Sequence, residues 1–228
     1  MPVPAMRCVV FFFKNHYLQR TAILPKPICV IIPFVGAHEI TNQCLHCLAT
    51  AKGDLRVVLV DNGSPEKEFE SVRLTAESLL SRVEFVRFPK NLGFTFGVNA
   101  GLRRVPSGCD VVILNNDCFV SAGCLLSLQK TSYTHGLAIT GPITTDGGAE
   151  SVRKLAVREE CGMSDEPPPD GFDRDPETLQ RSVSAVETAP VSRNYIPMFC
   201  AFIPEVCFSR CGLLHRDEKY QSGLFADN

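Results

Sequence analysis

Short apolar runs alternate with helix-like segments between residues 29 and 140, and this alternation constrains the fold more than any other feature of the chain. The runs have the length and composition of buried strands and lie at residues 29–34, 55–60, 83–88 and 110–114. Between the first two runs, Ile40, Cys44 and Leu48 recur at helical spacing. Ser64 and Pro65 are predicted to begin the next helix, as its N-cap and its first residue. Strands that alternate with single helices form parallel sheets, so the sequence predicts an α/β fold with helices on both faces of a mostly parallel, Rossmann-like sheet.

The alternation divides the chain of 228 residues into four parts. Residues 1–28 have no clear period and are predicted to be an N-terminal extension, either an additional edge strand or a leader. Residues 29–140 are the predicted core. Residues 141–193 are rich in proline and acidic residues and are predicted to be an irregular insert or lid, because structureless segments of this length are uncommon within compact domains. Residues 194–228 return to an ordered pattern.

Charge and cysteine usage exclude several classes of protein. The net charge of -2 argues against a nucleic-acid-binding protein. No apolar run approaches the roughly 18 residues of a membrane-spanning helix, so no transmembrane segment is predicted, which leaves a peripheral membrane association open. The 11 cysteines are odd in number and scattered through apolar stretches. This pattern predicts reduced, buried thiols in a cytoplasmic protein rather than a secreted disulfide framework.

Polar residues follow the predicted strands at the ends where parallel sheets bind ligands. Asp61 follows the second strand, Asn91 the third, and Asn115, Asn116 and Asp117 the fourth. Asp117 could hold Mg²⁺ or Mn²⁺ on a diphosphate, whose oxygens and water would complete the coordination shell, and Asn116 could bind ribose hydroxyls. Asp61 could accept a hydrogen bond from a ring N–H of uracil, thymine or guanine. All these residue types are also typical of turns, and the residues alone leave both interpretations open.

Glycines recur every four residues after the third strand, at Gly93, Gly97 and Gly101. The spacing predicts that they share one face of a helix. Each interior glycine costs about 1 kcal/mol relative to alanine, so three on one face indicate close packing against the sheet or a ligand. Asn91 and Asn99 are the better candidates for polar contact with a nucleotide or sugar.

Several short motifs in this order resemble those of the family 2 glycosyltransferases, which have the nucleotide-sugar-binding GT-A fold. They are VIIP at 30–33, VDNGS at 60–64, NLG at 91–93, NAG at 99–101, LNND at 114–117, FCAFI at 199–203 and GLFAD at 223–227. The resemblance covers residues 29–228 apart from 141–193. It is closest to the rhamnosyltransferase-like branch, in which Asn-Asn-Asp commonly replaces Asp-x-Asp.

The resemblance implies an inverting transfer of a sugar from a UDP- or dTDP-sugar to a hydroxyl of a glycan, lipid-linked or protein-linked acceptor. By resemblance, Pro33 and Asp61 would lie at the base, Asn116 at the ribose and Asp117 at a divalent metal, Mg²⁺ or Mn²⁺. Asp227 would be the general base that deprotonates the acceptor. The nucleotide-sugar site would be completed by Asn91, Asn99 and Asn115.

Other functions remain as alternatives. The resemblance implies that residues 194–228 begin an acceptor-side region and that the chain is truncated at its C-terminus. Ala226 stands where the family usually has glutamate. The chain could therefore be a non-catalytic nucleotide-sugar binding module or an inactive fragment of such an enzyme. A nucleotidyltransferase would need a basic, glycine-rich phosphate loop after the first strand, and residues 34–38 contain no arginine or lysine.

Overall fold

The computed structural model describes residues 8–11, 24–142, 191–192 and 198–214. The strands are β1 (Cys8–Phe11), β2 (Ile28–Phe34), β3 (Leu55–Asp61), β4 (Val83–Arg87), β5 (Asp110–Leu114), β6 (Ile139–Pro142), β7 (Val191–Ser192) and β8 (Cys200–Ile203). The helices are α1 (His38–Ala49), α2 (Glu66–Leu79), α3 (Phe94–Leu102), α4 (Cys124–Thr134) and α5 (Glu205–Cys211).

The strands form one eight-stranded sheet in the order β4-β3-β2-β5-β8-β6-β1-β7. The neighbours β4, β3, β2 and β5 are all parallel. Beyond β5 the sheet becomes antiparallel, through β8, β6 and β1, and β7 then pairs in parallel with β1. The predicted α/β fold class is thus confirmed, and the half of the sheet that carries the polar strand ends is entirely parallel.

Helices cover both faces of the sheet, as predicted. Every residue of β2 is buried, because both faces of this strand are covered. Val30 and Ile32 pack in one core cluster with Leu45 of α1, whereas Ile31 packs in a second cluster with Val98 of α3. All five side chains are completely buried. The continuous apolar run in the sequence therefore reflects a strand between two helical layers.

Two local predictions are wrong. Ser64 does not cap α2, which begins at Glu66 without a side-chain cap; the Ser64 hydroxyl instead accepts a hydrogen bond from the backbone N–H of Gly36 at 2.8 Å. Gly93 is not on the helix face, because it precedes α3 with a left-handed φ of 89°. Ser64 does not cap the helix because its hydroxyl is bound to the loop after β2. Gly93 is outside the helix because the chain turns sharply at this residue before α3 begins.

The ends of the chain extend the same sheet where they are described. β1, which lies in the predicted extension 1–28, pairs with β6 and β7. β6 reaches Pro142 and β7 lies within the predicted insert 141–193, of which residues 143–190 are outside the described ranges. The predicted boundaries of the four parts therefore stay predictions.

Two further properties follow from the described residues. None of their helices is long and apolar enough to cross a membrane. Nine of their cysteines are free thiols, and six of these nine are buried.

Within α3, Gly101 is the glycine for which packing against the sheet leaves no room for a side chain. A Cβ at Gly101 would overlap Cγ2 of Ile31 and lie 3.2 Å from Cγ2 of Val60, so α3 depends on this glycine to approach the sheet. Gly101→Ala is expected to lower the free energy of unfolding by about 2 kcal/mol, as in other overpacked cores. Urea denaturation monitored by circular dichroism measures this change.

Gly97 supplies the matched control on the same helix. A Cβ there would lie 3.5 Å from Cβ of Pro33, an ordinary van der Waals contact. Gly97→Ala is therefore expected to be neutral, or to stabilise the helix by up to about 1 kcal/mol. Equal destabilisation by the two substitutions would contradict the assignment of Gly101 as the close contact.

Candidate functional site

The carboxyl ends of β2, β3, β4 and β5 meet at one edge of the sheet. β2 lies between β3 and β5. On the β3 side, Phe34 at the end of β2 pairs with Asp61, and on the other side Asn115 directly follows β5. With neighbouring strands about 4.8 Å apart, Asp61 and Asn115 are separated by about 10 Å across this edge. The structure thus brings the polar strand ends together, as parallel pairing requires.

Asp61 is the last residue of β3, and its side chain is completely buried, with 0% exposure. Its Oδ1 accepts a hydrogen bond from the backbone N–H of Ser64 at 2.8 Å, which closes the turn after the strand. Its Oδ2 accepts from Nε of Arg87, the last residue of β4, at 2.9 Å. A buried carboxylate needs such a partner, because desolvation of an unpaired charge costs several kcal/mol.

Asn62 connects the turn after β3 to the loop before α3. The residue is 5% exposed, and its Nδ2 donates to Oδ1 of Asn91 at 2.8 Å and to the backbone oxygen of Gly93 at 3.2 Å. Its Oδ1 accepts from the N–H of Leu92 at 3.0 Å. Asn91 itself is exposed. Asn62 therefore holds Asn91 at the sheet edge.

Pro33 is buried beside the first turn of α3. The positions of Pro33 and Asn62 relative to Gly97 show that the start of this helix lies against the turn after β3.

Asn99, farther along α3, binds the backbone of a distant part of the chain. Its carboxamide donates to the backbone oxygen of Leu214 at 2.9 Å and accepts from the Leu214 N–H at 2.8 Å. Both ends of the Asn99 amide are thus bound to the chain that follows α5, and its predicted contact with a nucleotide stays a prediction.

The turn after β5 is joined to the start of α1. Nδ2 of Asn116 donates to Oγ1 of Thr41 at 2.9 Å, and this buried hydroxyl donates in turn to the backbone oxygen of Ala37 at 3.0 Å. The N–H of Asn115 donates to the backbone oxygen of Phe199 at 2.8 Å. The loops after β2 and β5 are therefore held to each other and to the chain entering β8.

Asp117 is exposed at the end of this turn, and its carboxylate contacts the thiol of Cys118, with Sγ 3.8 Å from Oδ1. Burial, followed by the negative charge of Asp117, raises the pKa of the Cys118 thiol well above its usual value. Cys118 is therefore protonated at neutral pH and does not compete with Asp117 as an anionic ligand.

The sequence profile described as "Glycosyl transferase family 2" matches residues 29–189. The chain belongs to glycosyltransferase family 2. The match includes the strand ends that carry Pro33, Asp61, Asn91 and the turn at 115–117, so the family assignment and the site concern the same part of the fold. Asp227 lies outside both the matched range and the described residues. The rhamnosyltransferase-like branch stays a prediction.

Solved structures of glycosyltransferases are similar to parts of this family 2 chain. One is "Mannosyltransferase PcManGT from Pyrobaculum calidifontis in complex with GDP-Man and Mn2+", with 24% identity, 46% of this chain and 31% of that chain covered, and a TM-score of 0.41. Another is S. aureus TarS 1–349 in complex with UDP-GlcNAc, with 19% identity, 48% and 32% covered, and a TM-score of 0.43. The family 2 chain thus spans about a third of the length of either structure. Among curated proteins, none matches it.

A divalent metal is implied by the resemblance to this family, and the oxygen atoms at the β5 turn suit it chemically. Asp117 presents an exposed carboxylate, and Oδ1 of Asn115 is buried without a hydrogen-bond partner among the described residues. Such oxygen ligands suit Mg²⁺ and Mn²⁺. The described part of the chain contains no cluster of three or more His, Cys, Asp or Glu side chains that could hold a metal. A metal on Asp117 would therefore need phosphate oxygens and water as further ligands.

Sequence reasoning missed Asn62, Thr41 and Arg87 as parts of this site. Asn62 is visible in the sequence as the middle of the VDNGS motif, where it is typical of a turn. Thr41 lies on the buried face of α1, and Arg87 is the last residue of β4. Neither position has a local sequence pattern that indicates a binding site. The partner of Thr41 is 75 residues away along the chain and that of Arg87 is 26 residues away, and only the folded sheet brings them together.

Proposed function

We propose that this chain is the donor-binding part of an inverting glycosyltransferase that transfers a sugar from a UDP- or dTDP-sugar to a hydroxyl group. The observation that carries the proposal is the arrangement at the parallel sheet edge. Buried Asp61 ends the strand on one side of β2, and exposed Asp117 follows the strand on the other side. A nucleoside diphosphate can extend between these positions, with its base near Asp61 and its phosphates near Asp117.

Each residue then has a separate task. Pro33 and Asp61 form the end of the site at which the base lies, and Asn91 extends the same edge. Asn115 and Asn116 lie beside the ribose and phosphates, and Asp117 would hold Mg²⁺ or Mn²⁺. The metal would neutralise the charge of the departing nucleoside diphosphate.

The proposed reaction is a single displacement. The acceptor oxygen forms a bond to the anomeric carbon as the bond from that carbon to the diphosphate oxygen breaks, through a transition state that resembles an oxocarbenium ion. Asp227 would accept the proton of the acceptor hydroxyl as general base. The leaving electron pair stays on the diphosphate.

The acceptor and the setting are proposed on broader grounds. A glycan, a lipid-linked glycan or a protein-linked hydroxyl fits a family 2 glycosyltransferase that acts in polysaccharide biosynthesis. The free, mostly buried thiols of the described residues support a cytoplasmic setting, in which cysteines stay reduced. A peripheral association with the membrane would bring a lipid-linked acceptor to the site.

A thermal-shift panel tests the donor site. UDP-, dTDP- and GDP-sugars are added to the chain at about 100 times their dissociation constants, with Mn²⁺ or with EDTA. A specific donor is expected to stabilise the fold by about 2.7 kcal/mol with Mn²⁺, which raises the melting temperature by about 5–10 °C for a chain of this size. The shift should be much smaller with EDTA. No stabilisation by any sugar nucleotide would contradict the proposal.

One sequence observation favours a second candidate. Ala226 occupies the position where the family usually has glutamate, beside the proposed base Asp227. A non-catalytic nucleotide-sugar binding module, or an inactive fragment, would give the same thermal shifts. Release of free nucleoside diphosphate from the stabilising sugar nucleotide distinguishes the two, because an enzyme hydrolyses or transfers its donor and a binding module does not.

A further inference from the structure

Arg87 lies next to Asp61 at the sheet edge and is held there by several groups. The two residues are partners in the parallel register of β3 and β4. Nε of Arg87 donates to Asp61 Oδ2 at 2.9 Å, and Nη1 donates to Glu66 Oε2 at 2.6 Å. The guanidinium carbon lies 4.3 Å from the centre of the Phe69 ring. An arginine held by two carboxylates and an aromatic face has a well-defined position, although it is at the surface.

The exposures of the two partners differ. The Asp61 side chain is 0% exposed, whereas that of Arg87 is 35% exposed. Each Asp61 oxygen already accepts a hydrogen bond, from Ser64 or from Arg87. A base that arrives at this edge therefore meets the guanidinium before it can meet the carboxylate.

The Arg87 guanidinium also has N–H donors that are available to a ligand. Nη2 makes only a long contact of 3.4 Å, to the backbone oxygen of Ser64, and the Glu66 side chain that Nη1 contacts is 71% exposed. A guanidinium has five N–H donors in a planar fork. Among the residues that the structure describes, the hydrogen bonds from Arg87 use three of them.

We propose that Arg87 is a specificity-determining residue for the donor's base, and that its guanidinium, held by Asp61, donates a hydrogen bond to a carbonyl oxygen of that base. Asp61 then acts as a positioning residue that orients Arg87 and the turn at Ser64. The inference rests on the proposed function, because it requires the base to lie at the Asp61 end of the site. It makes the site selective for a base with an exocyclic carbonyl, such as uracil or thymine, and against adenine, which has none.

Isothermal titration calorimetry with UDP and ADP, each with Mn²⁺, tests the inference on the full chain. The two ligands have the same diphosphate, so their difference in affinity reports on the base. The wild-type chain is expected to bind UDP at least about 10-fold more tightly than ADP. Arg87→Ala is expected to weaken UDP binding by about 10- to 100-fold and ADP binding by less than about 3-fold, since a hydrogen bond to a charged donor is lost only for UDP.

Two further variants separate recognition from folding. Arg87→Lys keeps a positive charge beside Asp61 and so protects the fold. The lysine ammonium is a compact charge, however, and when it pairs with Asp61 it cannot also reach the base as the planar guanidinium does. It is therefore expected to lose most of the preference for UDP while melting like the wild type. Arg73→Ala removes an arginine that pairs with Glu70 and Glu77 on the surface of α2, and should leave both affinities unchanged.

Different failures have different meanings. A full preference for UDP in both Arg87→Ala and Arg87→Lys would overturn the inference and leave the proposed function intact. The inference would also be overturned if Asp61→Asn lost the preference for UDP while Arg87→Lys retained it. Asp61 would then contact the base directly. Equal affinity of the wild type for UDP and ADP would also overturn the role of Arg87. A wild-type chain that binds neither nucleotide would overturn the proposed function, and this inference with it.

Discussion

Asp117→Ala is expected to reduce the affinity for a nucleotide sugar in the presence of Mn²⁺ by on the order of 100-fold, or about 3 kcal/mol. Asp117 is the exposed carboxylate in the turn at the carboxyl end of β5, and residues 34–38 offer no basic side chain other than His38 to meet a diphosphate. A metal held by Asp117 would therefore carry most of the attraction between the chain and the phosphates. Titration of the donor with and without Mn²⁺ measures the loss.

Asp54→Ala is the matched control for this experiment. Asp54 is also an exposed aspartate, with 53% of its side chain accessible, but it precedes β3 and so lies at the opposite end of the sheet, where it pairs with Arg82. Its replacement should change neither the affinity nor the effect of Mn²⁺. If Asp117→Ala binds the donor with Mn²⁺ as tightly as the Asp54 variant does, the assignment of the metal to Asp117 is wrong.

Asp110→Ala is expected to lower the free energy of unfolding by about 3–5 kcal/mol, as in other broken buried networks. Asp110 is the first residue of β5 and is almost completely buried. Its Oδ2 accepts from Nε2 of Gln129 at 2.8 Å and from the hydroxyl of Tyr133 at 2.6 Å, and its Oδ1 accepts from the N–H of Glu205 at 2.9 Å. Alanine would remove the acceptor that these three donors share, which would loosen α4 and α5 from the sheet.

The free energy of unfolding from urea denaturation checks this prediction, with Tyr133→Phe as the control. Burial and the hydrogen bond to Asp110 raise the pKa of Tyr133, so its hydroxyl is a neutral donor at ordinary pH. Removing that hydroxyl leaves the two other hydrogen bonds of Asp110 in place and should cost about 1–2 kcal/mol. A loss in Asp110→Ala no larger than in Tyr133→Phe would show that the network does not hold the helices.

The positions of the central strands were predictable because their signal is local. The predicted runs at 29–34, 55–60, 83–88 and 110–114 differ from β2, β3, β4 and β5 by at most one residue at an end. A strand buried on both faces is apolar along its whole length, so its limits are visible without knowledge of its neighbours. The helices were less sharply predicted, since α3 begins only after Gly93 has turned the chain.

The candidate site was predictable in its location but not in its contacts. Parallel pairing alone places Asp61 and the turn at 115–117 at one edge. Which atom each side chain contacts depends on residues distant in sequence. The pattern before α2 favours Ser64 as a helix cap, yet its hydroxyl bonds to Gly36, 28 residues away.

The sequence by itself determined the α/β class, the order of the central strands and helices, and the family, because apolar periodicity and motif spacing are properties of short stretches of chain. Only the tertiary structure decided that Asp61 is buried against Arg87, that Asn62 holds Asn91, and that Asn99 binds the backbone at Leu214. These pairs form where strands align in register and where loops from different strands meet. A hydrogen bond between such residues depends on the relative placement of whole elements, which no local pattern of residues records.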